Sequence, residues 1–216
     1  MIHNAKALQM MVTANRAPSA TIEEILSDIQ TQGAQAAQII ERHRTMLRSR
    51  RLDMKPVDLH AVIDESLALV DHDMKARQIE AALDLSPKRC VINGDQVLLE
   101  QVLVNLVINA MDAMAETPPA RRRVTIKTEV RAGEVEVSVR DAGTGLPAQI
   151  NGTLFTPFVT TKANGLGIGL TIARTIVAAH GGAIDAHDNP EGGATFTVTL
   201  RRSEASASRS GSSSAA

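Results

Sequence analysis

The sequence predicts an α+β protein: a two-layer α/β sandwich preceded by a helical hairpin that dimerises as a four-helix bundle. Three observations carry this. A heptad stripe of apolar residues runs through the first fifty positions. Beyond them, long helical-period segments and period-two runs with hairpin turns follow one another without a regular βαβ alternation, which points to a mixed sheet with helices on one face. The chain then ends in Ser, Ala, Arg and Gly, a composition with too little apolar surface to form a core. The implied divisions are residues 1–52, a partial hairpin; 53–202, the sandwich; and 203–216, a disordered tail.

The elements follow in order. A short helix is expected from Asn4 to about Ala14, stopped by Asn15-Arg16-Ala17-Pro18-Ser19. Thr21 and Glu24 form a capping box for a second helix. Its seam is Ile22, Leu26, Ile29, Gly33, Ala36, Ile40, His43 and Leu47. One short partner cannot bury such a seam, hence the dimeric bundle. A hinge is placed near Arg48–Asp58. Asp58 caps a helix with the apolar face Leu59, Val62, Ile63, Leu67, Val70 and Met74. Ile79, Ala81, Leu83 and Leu85 alternate as a strand. Asp95 caps an apolar helix from Gln96 to about Ala115, closed by Pro118-Pro119. Val124–Val130 and Val135–Val139 form a hairpin across Ala132-Gly133. A glycine-punctuated region from Asp141 to Gly169 opens a helix ending at His180 and Gly181-Gly182. A last hairpin joins Ala183–His187 to Ala194–Leu200.

Composition excludes several classes. Lys+Arg is 23 against Asp+Glu 24, leaving no footprint for nucleic acid or an anionic membrane. With no Trp or Tyr and three Phe, a base-stacking platform is not expected. Cys90 is single, so no internal disulfide or Cys-cluster metal site exists, and its apolar neighbours suggest a buried thiol. No apolar run reaches the roughly 18 residues of a membrane span, and Met1–Lys6 lacks a signal-peptide core, so a cytoplasmic location is expected.

Several groups of residues carry chemistry. Gln101, Asn105, Asn109 and Asp112 share one face of the Gln96 helix, whose other faces are apolar. The stripe either lines a ligand, with an Asn oxygen on a divalent cation, or is solvated. Asp141-Ala142-Gly143-Thr144-Gly145 ends a strand. Its carboxylate can accept from an exocyclic amine, and its glycines admit a flat ligand; it also reads as a plain turn. Gly165-Leu166-Gly167-Ile168-Gly169 opens a helix, where free N–H groups bind anions. A dinucleotide fold is disfavoured because no strand directly precedes this loop, and the Gly-Lys-Ser/Thr of a P-loop is missing. Phe155-Thr156-Pro157-Phe158 can anchor a lid, from which Lys162 reaches a phosphate as a point charge or is a surface lysine. Thr195 completes a base site or is a strand-favouring residue.

Taken in order, Asn105-Leu106-Val107-Ile108-Asn109-Ala110, Asp141–Gly145, Phe155–Phe158, Gly165–Gly169 and Gly193-Ala194-Thr195-Phe196 resemble the N, G1, F, G2 and G3 boxes of the sensor histidine-kinase ATPase family. That family has the Bergerat ATP-binding fold. The resemblance spans about Pro56 to Arg201, and the helices before Pro56 resemble part of a dimerisation and phosphotransfer hairpin. It implies ATP and Mg²⁺ as cofactors, a homodimer through the N-terminal helices, and a response regulator receiver domain as partner. By position, Asn109 resembles the Mg²⁺ ligand, with Asn105 near the phosphates; Asp112, on the same face, is counted among the nucleotide-binding residues. Asp141 resembles the carboxylate that reads the adenine amine, helped by Thr195, with Gly143 and Gly145 bordering the base. Lys162 and the backbone of Gly165, Leu166, Gly167 and Gly169 would hold the β- and γ-phosphates.

Two departures shape the expected activity. Related ATPases carry Glu four residues before the first Asn; here that position is Gln101, and Glu100 is turned about 100° away. Gln takes no proton from water, so efficient ATP hydrolysis is not expected, whereas transfer to imidazole rests mainly on alignment and charge neutralisation. The acceptor His followed by an acidic residue and a Pro has no match, His3 and His43 included, so the chain is expected not to autophosphorylate. The rivals are a gyrase- or heat-shock-type ATPase, and a nucleotide-binding scaffold without catalysis. An anti-sigma-type serine kinase would lack the long hairpin.

Overall fold

The computed structural model describes residues 52–147, 153–160 and 167–203, and every absence stated below refers to these. The chain divides into units of residues 1–52 and 53–216, so the described residues fall almost wholly in the second. The expected N-terminal hairpin and the tail from Glu204 lie outside them.

A short ribbon opens the described unit. Strand β1 (Lys55–Asp58) pairs antiparallel with β3 (Val91–Gly94), Val57 opposite Ile92. Between them come helix α1 (Leu59–Ala76) and strand β2 (Glu80–Asp84). Helix α2 (Gln96–Ala113) follows, then β4 (Arg123–Arg131), β5 (Glu134–Asp141), α3 (Gly169–Ala179), β6 (Ala183–Asp188) and β7 (Ala194–Arg201). The main sheet has the order β2-β4-β5-β7-β6. Only β2 and β4 run parallel; the other neighbouring pairs are antiparallel.

The helices cover one face of this sheet, with α2 between α1 and α3. Val135, Val137 and Val139 of β5 and Phe196, Val198 and Leu200 of β7 point into the core. Leu99, Val102, Leu103, Leu106, Val107 and Met111 of α2 meet them from above. The other sheet face is polar. It carries exposed pairs such as Arg131–Glu129 and Arg140–Glu191, each worth little in solvent. The two-layer α+β sandwich is thus present as expected.

Both caps form. The Asp58 carboxylate accepts from His60 N at 3.1 Å, and that of Asp95 from Leu98 N at 3.4 Å. Three features differ from expectation. The segment Lys55–Asp58, read as part of a hinge, is a strand, because its partner lies far along the chain and four residues show no clear period. Leu83, expected on a buried face, is 46% exposed because β2 is an edge strand beyond the reach of the helices. Helix α2 stops at Ala113, two residues early. Beyond it, Arg122 donates to Thr117 O (2.7 Å), Arg77 O (2.7 Å) and Ala115 O (3.1 Å), so one guanidinium ties the ends of α1 and α2.

His180, the C-cap residue of α3, is buried and joins α3 to the start of α2. Its Nε2 accepts from Asp95 N at 2.9 Å, so the proton sits on Nδ1, which donates to Ile176 O at 2.8 Å. His180→Ala leaves the Asp95 N–H buried without an acceptor and opens a cavity. The expected loss is about 2–3 kcal/mol of unfolding free energy, read by denaturant titration. A loss below about half a kcal/mol would show that the bridge contributes nothing.

Candidate functional site

Residues from three elements converge on the sheet's helical face. Alternation along β5 turns Asp141 to the same side as Val135, Val137 and Val139, so a carboxylate sits at the end of a core-facing strand. It is 3% exposed. Its Oδ1 accepts from Gly143 N at 2.8 Å and from Ala194 N at 3.2 Å. Burial pushes the Asp141 carboxyl above the usual carboxylate range. The two N–H donors oppose that shift, and the charge of Asp188 adds to it.

The loop after Asp141 is pinned residue by residue. Gly143 lies against the end of α2: a Cβ there would sit 2.5 Å from Ala113 O. Thr144 N donates to that oxygen at 3.2 Å, and Thr117 Oγ1 donates to Ala142 O at 3.4 Å. Gly145 has φ +80° and adjoins Asp188, whose Oδ1 accepts from Leu146 N at 2.6 Å. Both glycines therefore serve the loop's own packing.

The polar stripe of α2 is half-buried along Gln101, Asn105, Asn109 and Asp112. Asn105 Nδ2 donates to Gly169 O at 3.4 Å, which brings the stripe to the first turn of α3. That turn has no side-chain cap hydrogen bond. Asp112 is in an ion pair with Arg77, 2.8 Å from Nη1, so a guanidinium adjoins the end of the stripe. Nothing in the sequence pattern suggested this pairing, because Arg77 follows a different helix. Glu100 faces away from the stripe toward α1. Burial first, and then a hydrogen bond with the Glu65 carboxyl, raises its pKa.

Phe158, Gly167 and Thr171 shape the approach to α3. Phe158 N donates to Gly167 O at 3.1 Å, and Thr171 Oγ1 donates to Phe155 O at 3.2 Å. Gly167 has φ +66°, and a Cβ there would press on the backbone of Phe158 and Val159. Lys162, Gly165 and Leu166 lie outside the described residues.

Thr195 is placed differently from its expected role. It pairs with Arg140 and so lies on the sheet face opposite Asp141's side chain. Its hydroxyl donates to Asn189 Oδ1 at 2.6 Å. The neighbour on Asp141's side is Ala194. Asn189, unremarked in the sequence, is buried at this junction.

A buried carboxylate at a strand end, a glycine-bearing loop against one helix, an amide stripe and an uncapped helix start together define a nucleotide-binding domain. The chain belongs to the histidine kinase-, DNA gyrase B- and HSP90-like ATPase family, which it matches over residues 94–204. Within that family it is an ATPase catalytic domain of the two-component sensor histidine kinase type. It is 36% identical to the sensor protein FixL of Bradyrhizobium diazoefficiens over 83% of this chain and 35% of that protein. It is 40% identical to the sensor histidine kinase ZraS of Klebsiella oxytoca over 72% of this chain and 33% of that protein. The chain thus spans about a third of these curated relatives. Among solved structures it resembles the catalytic domain of histidine kinase ThkA, with a TM-score of 0.62 and 28% identity over 69% of this chain and 96% of that one.

Proposed function

We propose that this chain binds Mg·ATP between α2 and the Asp141 loop, and that the protein to which it belongs transfers the γ-phosphoryl group to a histidine and then to a response regulator receiver domain. The observation that carries this reading is the Asp141 carboxylate, buried at 3% exposure and oriented by two N–H groups on one oxygen. An adenine amine donating to its other oxygen would satisfy it.

The residues fit a magnesium ion held mainly by phosphate. No cluster of three or more His, Cys, Asp or Glu side chains that could hold a metal exists among the described residues. A hard cation at this site would be held by the nucleotide's own oxygens, with the Asn109 amide oxygen as the protein ligand. Bound there, the ion would neutralise charge on the β- and γ-phosphates. Asn105 and Asp112 border the same region. Lys162 would supply a positive charge at the terminal phosphate, and the backbone at Gly165, Leu166, Gly167 and Gly169 would supply N–H donors; of these, Gly169 opens α3, whose dipole favours an anion there.

Gln101 stands where a base for water would be needed, which favours transfer over hydrolysis. On the same reading, the segment 1–52 would pair two copies of the chain, and the domain would work in the cytoplasm. No described helix is long and apolar enough to cross a membrane.

Calorimetric titration of the chain with ATP tests the proposal. Uptake is expected with Mg²⁺ and is expected to weaken sharply when the ion is chelated. Labelled ATP is expected to leave no acid-labile label on His3. Steady release of phosphate would move the reading to a gyrase- or HSP90-like ATPase, and absence of Mg²⁺-dependent uptake would refute it.

A further inference from the structure

Asn189 is 8% exposed and makes four hydrogen bonds in one small volume. Its Nδ2 donates to Asp141 O at 3.1 Å, and its Oδ1 accepts from Thr195 Oγ1 at 2.6 Å. Its main-chain N–H donates to Gly193 O at 2.9 Å, and its carbonyl accepts from Gly192 N at 3.0 Å. The amide orientation is settled by chemistry: a flipped amide would set two acceptors, Oδ1 and Asp141 O, against each other. The Thr195 hydroxyl is then a donor to Asn189 and locks the amide from the far face of the sheet.

The consequence reaches Asp141. Its side chain is held on Oδ1 by Gly143 and Ala194. Asp141 ends β5 and is in register with Val124 on the β4 side, but on the β7 side it lies beyond Arg140–Thr195, the last pair of that ladder, and there its carbonyl accepts from the Asn189 amide. The preceding residue, Asp188, holds the other end of the loop through Leu146 N. Two consecutive side chains at the end of β6 thus bracket the segment from Asp141 to Leu146.

We propose that Asn189 is a positioning residue for the base-reading carboxylate: by fixing the Asp141 main chain, it sets the preference for a 6-amino over a 6-oxo purine. This rests on the ATP site proposed above and assigns it a specificity determinant that touches no ligand. Loss of a positioning hydrogen bond should act on the amine contact alone, because the residues assigned to the phosphates are other ones.

The test compares ATP with inosine triphosphate, which carries an oxygen in place of the amine, by calorimetry on the full chain with Mg²⁺. Wild type is expected to prefer ATP. Asn189→Ala is expected to weaken ATP by about tenfold, the worth of one good hydrogen bond, and to leave inosine triphosphate nearly unchanged. In a double-mutant cycle, Asp141→Ala with Asn189→Ala should bind ATP no more weakly than Asp141→Ala alone. Thr195→Val, which removes only the donor that locks the amide, should narrow the preference by about threefold and remains informative if Asn189→Ala does not fold. Equal loss of both nucleotides, an additive cycle, or an unchanged preference in Thr195→Val overturns the inference while leaving the ATP site standing. A wild-type chain that takes up neither nucleotide overturns the site itself.

Discussion

Gly193→Ala is expected to lower the thermal midpoint of the catalytic domain by roughly 10 °C and to weaken ATP binding with it. Gly193 has φ +83°, a conformation that disfavours any L side chain by about 1–2 kcal/mol. A Cβ there would also run into the carbonyl oxygen of Asp141, with Asp141 Oδ1 2.8 Å away. The obstacle is backbone, held by Asn189, and cannot swing aside as a flexible side chain would. The steric part adds about 1–3 kcal/mol, for a total near 3 kcal/mol. Gly181→Ala supplies the control within the same domain. Its φ is +70°, yet an added methyl would meet nothing within 4 Å, so only the conformational part applies. Thermal unfolding followed by circular dichroism separates the two. If both variants lose the same stability, close packing on Asp141 is not what Gly193 provides.

How much of this was legible in the sequence depends on whether the signal was local. Asp58 and Asp95 stand directly before apolar-periodic runs, so their capping roles could be read off the chain. The face shared by Gln101, Asn105, Asn109 and Asp112 follows from helical geometry alone. The hairpin across Ala132-Gly133 announced itself by its turn residues and by alternation on both sides. What failed to show was non-local. The β1–β3 ribbon joins strands of four residues separated by a helix and another strand. Thr195 sits in a strand as expected, but its face depends on the register between β5 and β7. A shift of one residue decides whether Thr195 or Ala194 faces Asp141. Asn189 lies in Asp188-Asn189-Pro190-Glu191-Gly192-Gly193, which reads as an ordinary turn, and its partners are 48 and 6 residues away. The boxes thus mark where a nucleotide domain stands, whereas the residues that hold its carboxylate in place emerge only from the folded register.

Asp141→Asn is expected to shift two measurements in opposite directions: ATP affinity falls on the order of 100-fold, while the ligand-free domain becomes more stable at pH values above the raised Asp141 pKa. The loss has a simple origin. An amide in place of the carboxylate keeps an oxygen for Gly143 N and Ala194 N but turns an N–H donor toward an amine that also donates. The gain follows from burial. Burial raises the Asp141 pKa in the folded state above its unfolded value, so the fold binds this proton more tightly than the unfolded chain does. The stability this contributes is complete below the unfolded value and is lost as pH rises through the raised one. Above that raised pKa the empty domain holds an ionised carboxylate at a cost, and the neutral amide removes it. ATP binding runs the other way, since the amine needs the ionised form. Wild-type affinity should decline as pH is lowered through the raised Asp141 pKa, at a higher pH than an ordinary carboxylate would give. The weak residual binding of Asp141→Asn should lack that limb. Calorimetry across the acidic range, with thermal unfolding of the empty chain, measures both. A variant that loses stability and affinity together would show that Asp141 is held for the fold rather than for the ligand.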